Sequence, residues 1–187
     1  VLTTLFSTDD TKKNEDFSEK TIAELVRACF EMGKVKTGAL IVIERGTPLG
    51  EIERTGIEVD GIVTSQLLIN IFEHNTPLHD GAVVIRGNRV TAATCYLPLS
   101  DNMDISKALG TRHRAAVGVS EATDSVTLVV SEETGRVSVA VSGRLKSVKD
   151  GDELRDMLSV LVKRETENTG RFRIWKGRRR NERKADE

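Results

Sequence analysis

The run Gly38-Ala-Leu-Ile-Val-Ile43 constrains this chain more than any other stretch. It has no polar position to turn toward water. A strand built from it must be covered on both faces, as central strands of α/β sheets are. Aromatic residues make up only 4% of the 187 residues, so Val, Ile, Leu and Ala must fill the core. That composition suits an α/β protein with buried strands.

The flanking segments supply the covering layers. Ile22, Leu25, Val26, Cys29 and Phe30 recur at three- and four-residue spacing, which predicts a helix over Ser18–Met32. Asp16 or Ser18 is placed to cap it and Gly33 to end it. Glu44–Gly50 reads as a loop, and Gly56–Val63 as a short strand or irregular segment. Thr64 or Ser65 can cap a short helix reaching Phe72. Ala82–Arg86 and Arg89–Leu97 read as strands joined by Gly87-Asn88, a hairpin signal. Pro98–Gly110 reads as a loop with one helical turn at 106–109. Thr111 can cap a helix over Arg112–Ser120. Ser125–Ser131 and Arg136–Val141 form a second hairpin-like pair, and Asp150–Arg164 a last helix. The predicted fold is α/β, with a mixed, mostly antiparallel central sheet and helices on both faces.

Residues 1–17 read as a linker and 165–187 as a basic tail, leaving 18–164 as one domain. No apolar run approaches the ~20 residues of a membrane span. The chain starts at Val1 rather than Met, so the expectation is a soluble fragment of a longer protein. A net charge of -1 argues against a general nucleic-acid coat, and no nucleic-acid partner is expected. Cys29 and Cys95 sit inside apolar segments and read as buried hydrophobes, with no disulfide framework.

Two stretches carry most of the chemistry. In Thr76-Pro-Leu-His-Asp-Gly-Ala82, Asp80 stands between His79 and Gly81 at a loop-to-strand junction. It is either a carboxylate that holds Mg or Mn and orients a nucleophile, or an Asp-Gly turn residue. In Gly110-Thr-Arg-His-Arg-Ala115, Arg112, His113 and Arg114 stand at a predicted helix N-terminus, where backbone N–H groups favour an anion. The alternative is a solvated basic helix end. In Ser131-Glu-Glu-Thr-Gly135, the Ser131 and Thr134 hydroxyls suit phosphate, and Glu132 or Glu133 a metal. There is no G-x-x-x-x-G-K-[ST] and no G-x-G-x-x-G, so a nucleotide would need another cradle. His79-Asp80 is reminiscent of HD phosphohydrolases, but only His74 and His113 accompany it and strands follow at once.

From about Gly38 to Val141 the chain resembles the diadenylate cyclase (DAC) domain family. The resemblance rests on Asp80-Gly81-Ala82 and Arg112-His113-Arg114, supported by Cys95-Tyr-Leu-Pro-Leu-Ser100 and Val130-Ser-Glu-Glu-Thr-Gly135. The flanks are similar to the membrane-anchored CdaA type of Gram-positive bacteria without its transmembrane helices. The resemblance implies condensation of two ATP into cyclic di-AMP and two pyrophosphates, with Mg or Mn as cofactor. It implies Asp80, Gly81, Ala82, Arg112, His113 and Arg114 as catalytic. Tyr96, Leu97, Gly110, Thr111, Ser131, Glu132 and Thr134 would bind ATP. Asp80, His79 and Glu133 would hold the metal. Tyr96 and Leu97 would lie against the adenine. It implies a catalytic homodimer at the cell membrane with a cytoplasmic catalytic domain. It also suggests a membrane-bound regulator and a phosphoglucosamine mutase as partners. A non-catalytic nucleotide-binding module on the same fold is the competing expectation.

Overall fold

The computed structural model describes residues 17–102 and 109–161. The expected linker up to residue 16, the tail from 165 and most of the turn at 106–109 lie outside these. The elements run α1 (Glu19–Lys34), β1 (Ala39–Ile43), α2 (Gly50–Glu53), β2 (Ile57–Ile62), α3 (Ser65–Phe72), β3 (Ala82–Arg86), β4 (Arg89–Cys95), α4 (Thr111–Ala122), β5 (Val126–Val130), β6 (Val137–Val141) and β7 (Arg144–Ser147). A fifth helix, α5, covers residues 151–161.

The strands form one seven-stranded sheet in the order β2-β4-β3-β1-β5-β6-β7. Only β1 and β3 pair in parallel; the other ladders are antiparallel. The mixed, mostly antiparallel sheet expected from the sequence is therefore present. The strand side chains alternate between two cores, as a pleat requires. Ala39, Ile41 and Ile43 of β1 join Val83, Ile85, Val126, Leu128 and Val130 under α1, α3 and α5. Leu40 and Val42 join Ala82, Val84 and Val129 under α4. All five residues of β1 are buried, which explains why its sequence shows no alternation.

Two caps were legible. The Ser18 hydroxyl accepts from the Thr21 amide, and Thr64 from the Leu67 amide. Two expectations need correction. Gly33 does not end α1, which runs to Lys34 and closes at Val35. Thr111 does not cap α4: Gly110 is the N-cap, with no side-chain hydrogen bond, and Thr111 is the first helical residue. The short elements α2 and β7 were not expected. β7 follows a two-residue turn at Ser142-Gly143, both with positive φ (50° and 73°), the signature of a tight hairpin. Cys29 and Cys95 are buried free thiols as expected, pushed up to about 12 and about 11 by desolvation, with the Glu53 carboxylate adding to the rise at Cys95.

Candidate functional site

The strand register brings several chain ends to one end of the sheet. Ala39 opens β1 opposite Val130, the last residue of β5. Ala82 opens β3 opposite Cys95, the last residue of β4. Because β1 and β3 run in parallel, their first residues lie side by side. The segments just beyond these ends are Thr37-Gly38, Asp80-Gly81, Tyr96-Leu97 and Ser131–Gly135.

A cavity of about 400 Å³ opens there, between the N-terminus of α4 and the β5–β6 turn. Of the expected residues, Gly110, Thr111, Arg112, His113, Ser131, Glu132, Glu133 and Thr134 line it. Gly110 carries no side chain, so nothing caps the first amides of α4. Those of His113 and Arg114 bond back to the Gly110 carbonyl. Among the described residues those of Thr111 and Arg112 have no partner, which leaves them for water or an anion. The Ser131 and Thr134 hydroxyl oxygens accept from the Thr134 and Arg136 amides at 3.2 Å each. Each hydroxyl hydrogen stays available to donate into the cavity.

Arg112 donates from Nη1 to Glu132 Oε2 at 2.6 Å, joining α4 to the turn. Gly38 lies beneath this pair: a Cβ there would come within 3.1 Å of both the guanidinium and the carboxylate. Gly38 is thus a site residue that sequence reasoning missed, and its only signal was a glycine just before the apolar run. His113 is only 7% exposed. Burial drives its imidazole below the ordinary range, with Glu133 opposing and Arg112 assisting that shift, so the ring is neutral at pH 7.

Arg114 is held away from the cavity. Its guanidinium donates to the Ser100 carbonyl at 2.9 Å, while the Ser100 amide donates to the Arg114 carbonyl at 3.1 Å. The segment Pro98–Ser100 is thereby strapped across α4, over Gly118, whose missing side chain gives the strap room. Arg114 therefore orders the strap and does not line the cavity.

Asp80, Gly81, Ala82, Tyr96 and Leu97 form a second patch, at β3 and β4, two strands along the same sheet end. Asp80 is exposed. Gly81 has φ 98°, and a Cβ on it would lie 2.8 Å from the Thr94 carbonyl carbon. Here the glycine admits the neighbouring strand. Ala82 is fully buried, with its methyl in the α4-side core. Tyr96 is 78% exposed, and its amide is held by the Thr55 hydroxyl at 2.9 Å. Leu97 packs on the α4-side core. His79 Nδ1 lies 2.6 Å from the Thr76 carbonyl, which makes Nδ1–H the donor and leaves Nε2 with its lone pair free. Among the described residues no group of three or more His, Cys, Asp or Glu side chains could enclose a metal ion. Single carboxylates still suit Mg or Mn, which can take most ligands from phosphate and water.

The DAC family profile, described as DisA bacterial checkpoint controller nucleotide-binding, matches residues 26–145. Cyclic di-AMP synthase CdaA of Bacillus subtilis is 51% identical over 88% of this chain and 61% of the relative. A diadenylate cyclase of Listeria monocytogenes is 50% identical over 83% of this chain and 58% of the relative. One of Mycoplasma pneumoniae is 34% identical over 84% of this chain and 77% of the relative. The chain thus spans about three fifths of the length of the first two relatives. The crystal structure of a double mutant of DacA from Staphylococcus aureus matches with a TM-score of 0.74 and 48% identity, over 75% of this chain and 94% of that one. A structure titled as a hypothetical membrane spanning protein from Bacillus cereus matches with a TM-score of 0.67 and 42% identity, over 70% of this chain and 64% of that one. In this chain no described helix is long and apolar enough to cross a membrane. With the matching profile, the shared fold and the polar cavity at the α4 N-terminus, the chain belongs to the DAC nucleotide-binding family.

Proposed function

We propose that this chain is the catalytic part of a diadenylate cyclase, condensing two ATP into cyclic di-AMP and two pyrophosphates. The observation that carries the reading is the cavity in which uncapped α4 amides, Arg112 and the Ser131 and Thr134 hydroxyls converge. Such a set binds a triphosphate without a glycine-rich loop. Nucleotidyl transfer asks the protein mainly for positioning and charge stabilisation. Each 3′-hydroxyl oxygen forms a bond to the α-phosphorus of the other ATP, and the Pα–O–Pβ bond breaks to release pyrophosphate. Asp80, exposed at the neighbouring patch, orients that hydroxyl and takes up its proton. Tyr96 and Leu97 lie beside it on the same strand ends and support an adenine surface. A Mg or Mn ion, held by Asp80 with His79 or Glu133, would supply charge neutralisation at the phosphates.

The product is two-fold symmetric, so two protomers meet face to face, each presenting one ATP. The high exposure of Tyr96 supports a patch that is covered only in that encounter. Membrane attachment of the whole protein, and a membrane-bound regulator or phosphoglucosamine mutase as partners, belong to this reading too. The test is incubation of the chain with ATP and Mn or Mg, followed by nucleotide analysis. Cyclic di-AMP with two pyrophosphates per product supports the reading. Bound but unconverted ATP under dimer-forming conditions would instead indicate a non-catalytic nucleotide-binding module.

A further inference from the structure

The end of β4 leaves regular pairing just where it leads into Tyr96. Ala82 of β3 pairs with Cys95 and Val84 with Ala92, so three steps along β4 face two along β3. The extra residue makes a bulge, and Thr94 within it sits at φ 56°. A β-branched residue adopts that backbone only under strain, and such strain gathers at functional sites. Bulges beside active sites re-aim the side chains around them. On its other side β4 is paired with β2 only as far as Ala93, opposite Ile57, and this ladder stops short of Tyr96.

Thr55 takes over where that ladder ends. Its hydroxyl oxygen accepts from the Tyr96 amide at 2.9 Å and donates its hydrogen to the Ile52 carbonyl at 2.7 Å. The direction is fixed, because a backbone N–H can only donate. The far end of this link is anchored in α2. Ile52 packs on the α4-side core, as Leu97 does. Glu53 accepts from the Arg86 guanidinium at 2.6 Å and from the Thr91 hydroxyl. Gly56 brings the segment hard against β4: a Cβ on it would lie 2.3 Å from the Ala93 carbonyl oxygen and 2.6 Å from Cys95 Sγ. Gly81, which follows Asp80, meets Thr94 as closely from the β3 side.

Tyr96 is so exposed that packing does little to fix its ring, and its backbone must do so instead. We propose that Thr55 is a positioning residue for recognition of the base: its hydroxyl holds the Tyr96 backbone beyond the Thr94 bulge and so sets where the Tyr96 ring stands. The inference rests on the diadenylate cyclase reading, in which Tyr96 and Leu97 support the adenine, and adds a residue that acts through Tyr96. A ring held in place before the base arrives loses less freedom on binding than a loose one. Because Asp80-Gly81 leans on the same bulge, the base surface and the carboxylate share one support.

The chain has a single tyrosine, so 3-fluorotyrosine labelling gives one fluorine NMR signal, that of Tyr96. The test compares wild type with Thr55→Val and Thr55→Ser by this signal, by calorimetric binding of α,β-methylene-ATP and of inorganic triphosphate, each with Mg, and by the kinetics of cyclic di-AMP formation. Thr55 is exposed, so its replacement leaves the fold in place. In wild type the ATP analogue should move the Tyr96 signal, and triphosphate, which has no base, should not. Thr55→Val is expected to broaden the free signal and to raise both the Kd of the ATP analogue and the KM for ATP about fivefold, as loss of one hydrogen bond does. Its kcat should stay within about twofold, because the loss is one of binding alone. Triphosphate binding should not change, and Thr55→Ser, which keeps the hydroxyl, should behave as wild type. A wild-type Kd and KM in Thr55→Val would overturn the role, as would an equal loss for triphosphate or a wild-type Tyr96 signal that the ATP analogue fails to move. If the wild type neither binds the ATP analogue nor makes cyclic di-AMP, the cyclase reading fails and the positioning role with it. Cyclisation by the wild type with unaltered kinetics in Thr55→Val removes the positioning role alone.

Discussion

A side chain on Gly33 would place its first carbon 2.5 Å from the carbonyl oxygen of Gly135. The last turn of α1 thus rests, backbone against backbone, on the turn that carries Ser131–Thr134. Gly135 needs its own freedom as well, since it sits at φ 71°. Gly33→Ala is therefore expected to destabilise the fold by about 1–3 kcal/mol, the usual penalty for overpacking. Because the turn must move to make room, ATP affinity should fall too. Urea denaturation together with ATP titration checks both, and wild-type stability would show that the contact is loose.

Asp80 is exposed, and among the described residues it makes no hydrogen bond or ion pair. The fold gains little from it. Asp80→Asn should abolish cyclic di-AMP formation while the melting temperature stays within a few degrees, a shift of under about 1 kcal/mol. A folded Asp80→Asn protein that still cyclises at near the normal rate would refute its role.

Neighbouring arginines should fail in different ways. The Arg112–Glu132 pair is partly solvated, with side chains 23% and 54% exposed, so it contributes at most about 1 kcal/mol to stability. Arg112→Ala should cost ATP binding tenfold or so, for loss of a charged phosphate contact, with little change in melting. Arg114→Ala should instead loosen the Pro98–Ser100 strap, at about 1 kcal/mol. Faster amide exchange at Ser100 would report it.

The buried His113 ring predicts a pH effect. Its folded pKa lies below the ordinary value, so at mildly acidic pH the unfolded chain binds the extra proton more readily. Its contribution is full above the unfolded value of about 6.5 and is lost as pH falls toward the lower folded pKa. NMR titration of the ring should place its midpoint below the ordinary value of about 6.5. A midpoint above 6.5 would reverse the sign.

Thr127 is fully buried on β5, and among the described residues its hydroxyl has no partner. Thr127→Val keeps the shape and removes an unsatisfied group. Stability should stay level or rise by about 1 kcal/mol, read from the denaturation midpoint. A loss would mean that a bound water serves the hydroxyl.

The sequence by itself determined the local elements wherever their physics is local. An unbroken apolar run must be an interior strand, and β1 is one. Ser18 and Thr64 announced their helices because a cap bonds to an amide only three residues away. The Gly87-Asn88 turn announced β3 and β4. β7 escaped notice because Leu145 alone among its four residues is apolar, so no alternation marks it. The paired motifs around Asp80 and Arg112 were equally legible, but their arrangement was not. Tertiary structure decided that they lie two strands apart, that Arg114 turns away to Ser100, that Gly38 lies against the Arg112–Glu132 pair, and that Arg136, Ser138 and Ser147 join the cavity. The physical reason is strand order. Residues 112, 132, 136 and 147 meet only because β5, β6 and β7 lie side by side under α4, and Gly38 reaches the Arg112–Glu132 pair because β1 lies next to β5. Periodicity tells a residue which face it occupies; long-range pairing alone tells it which neighbours it has there.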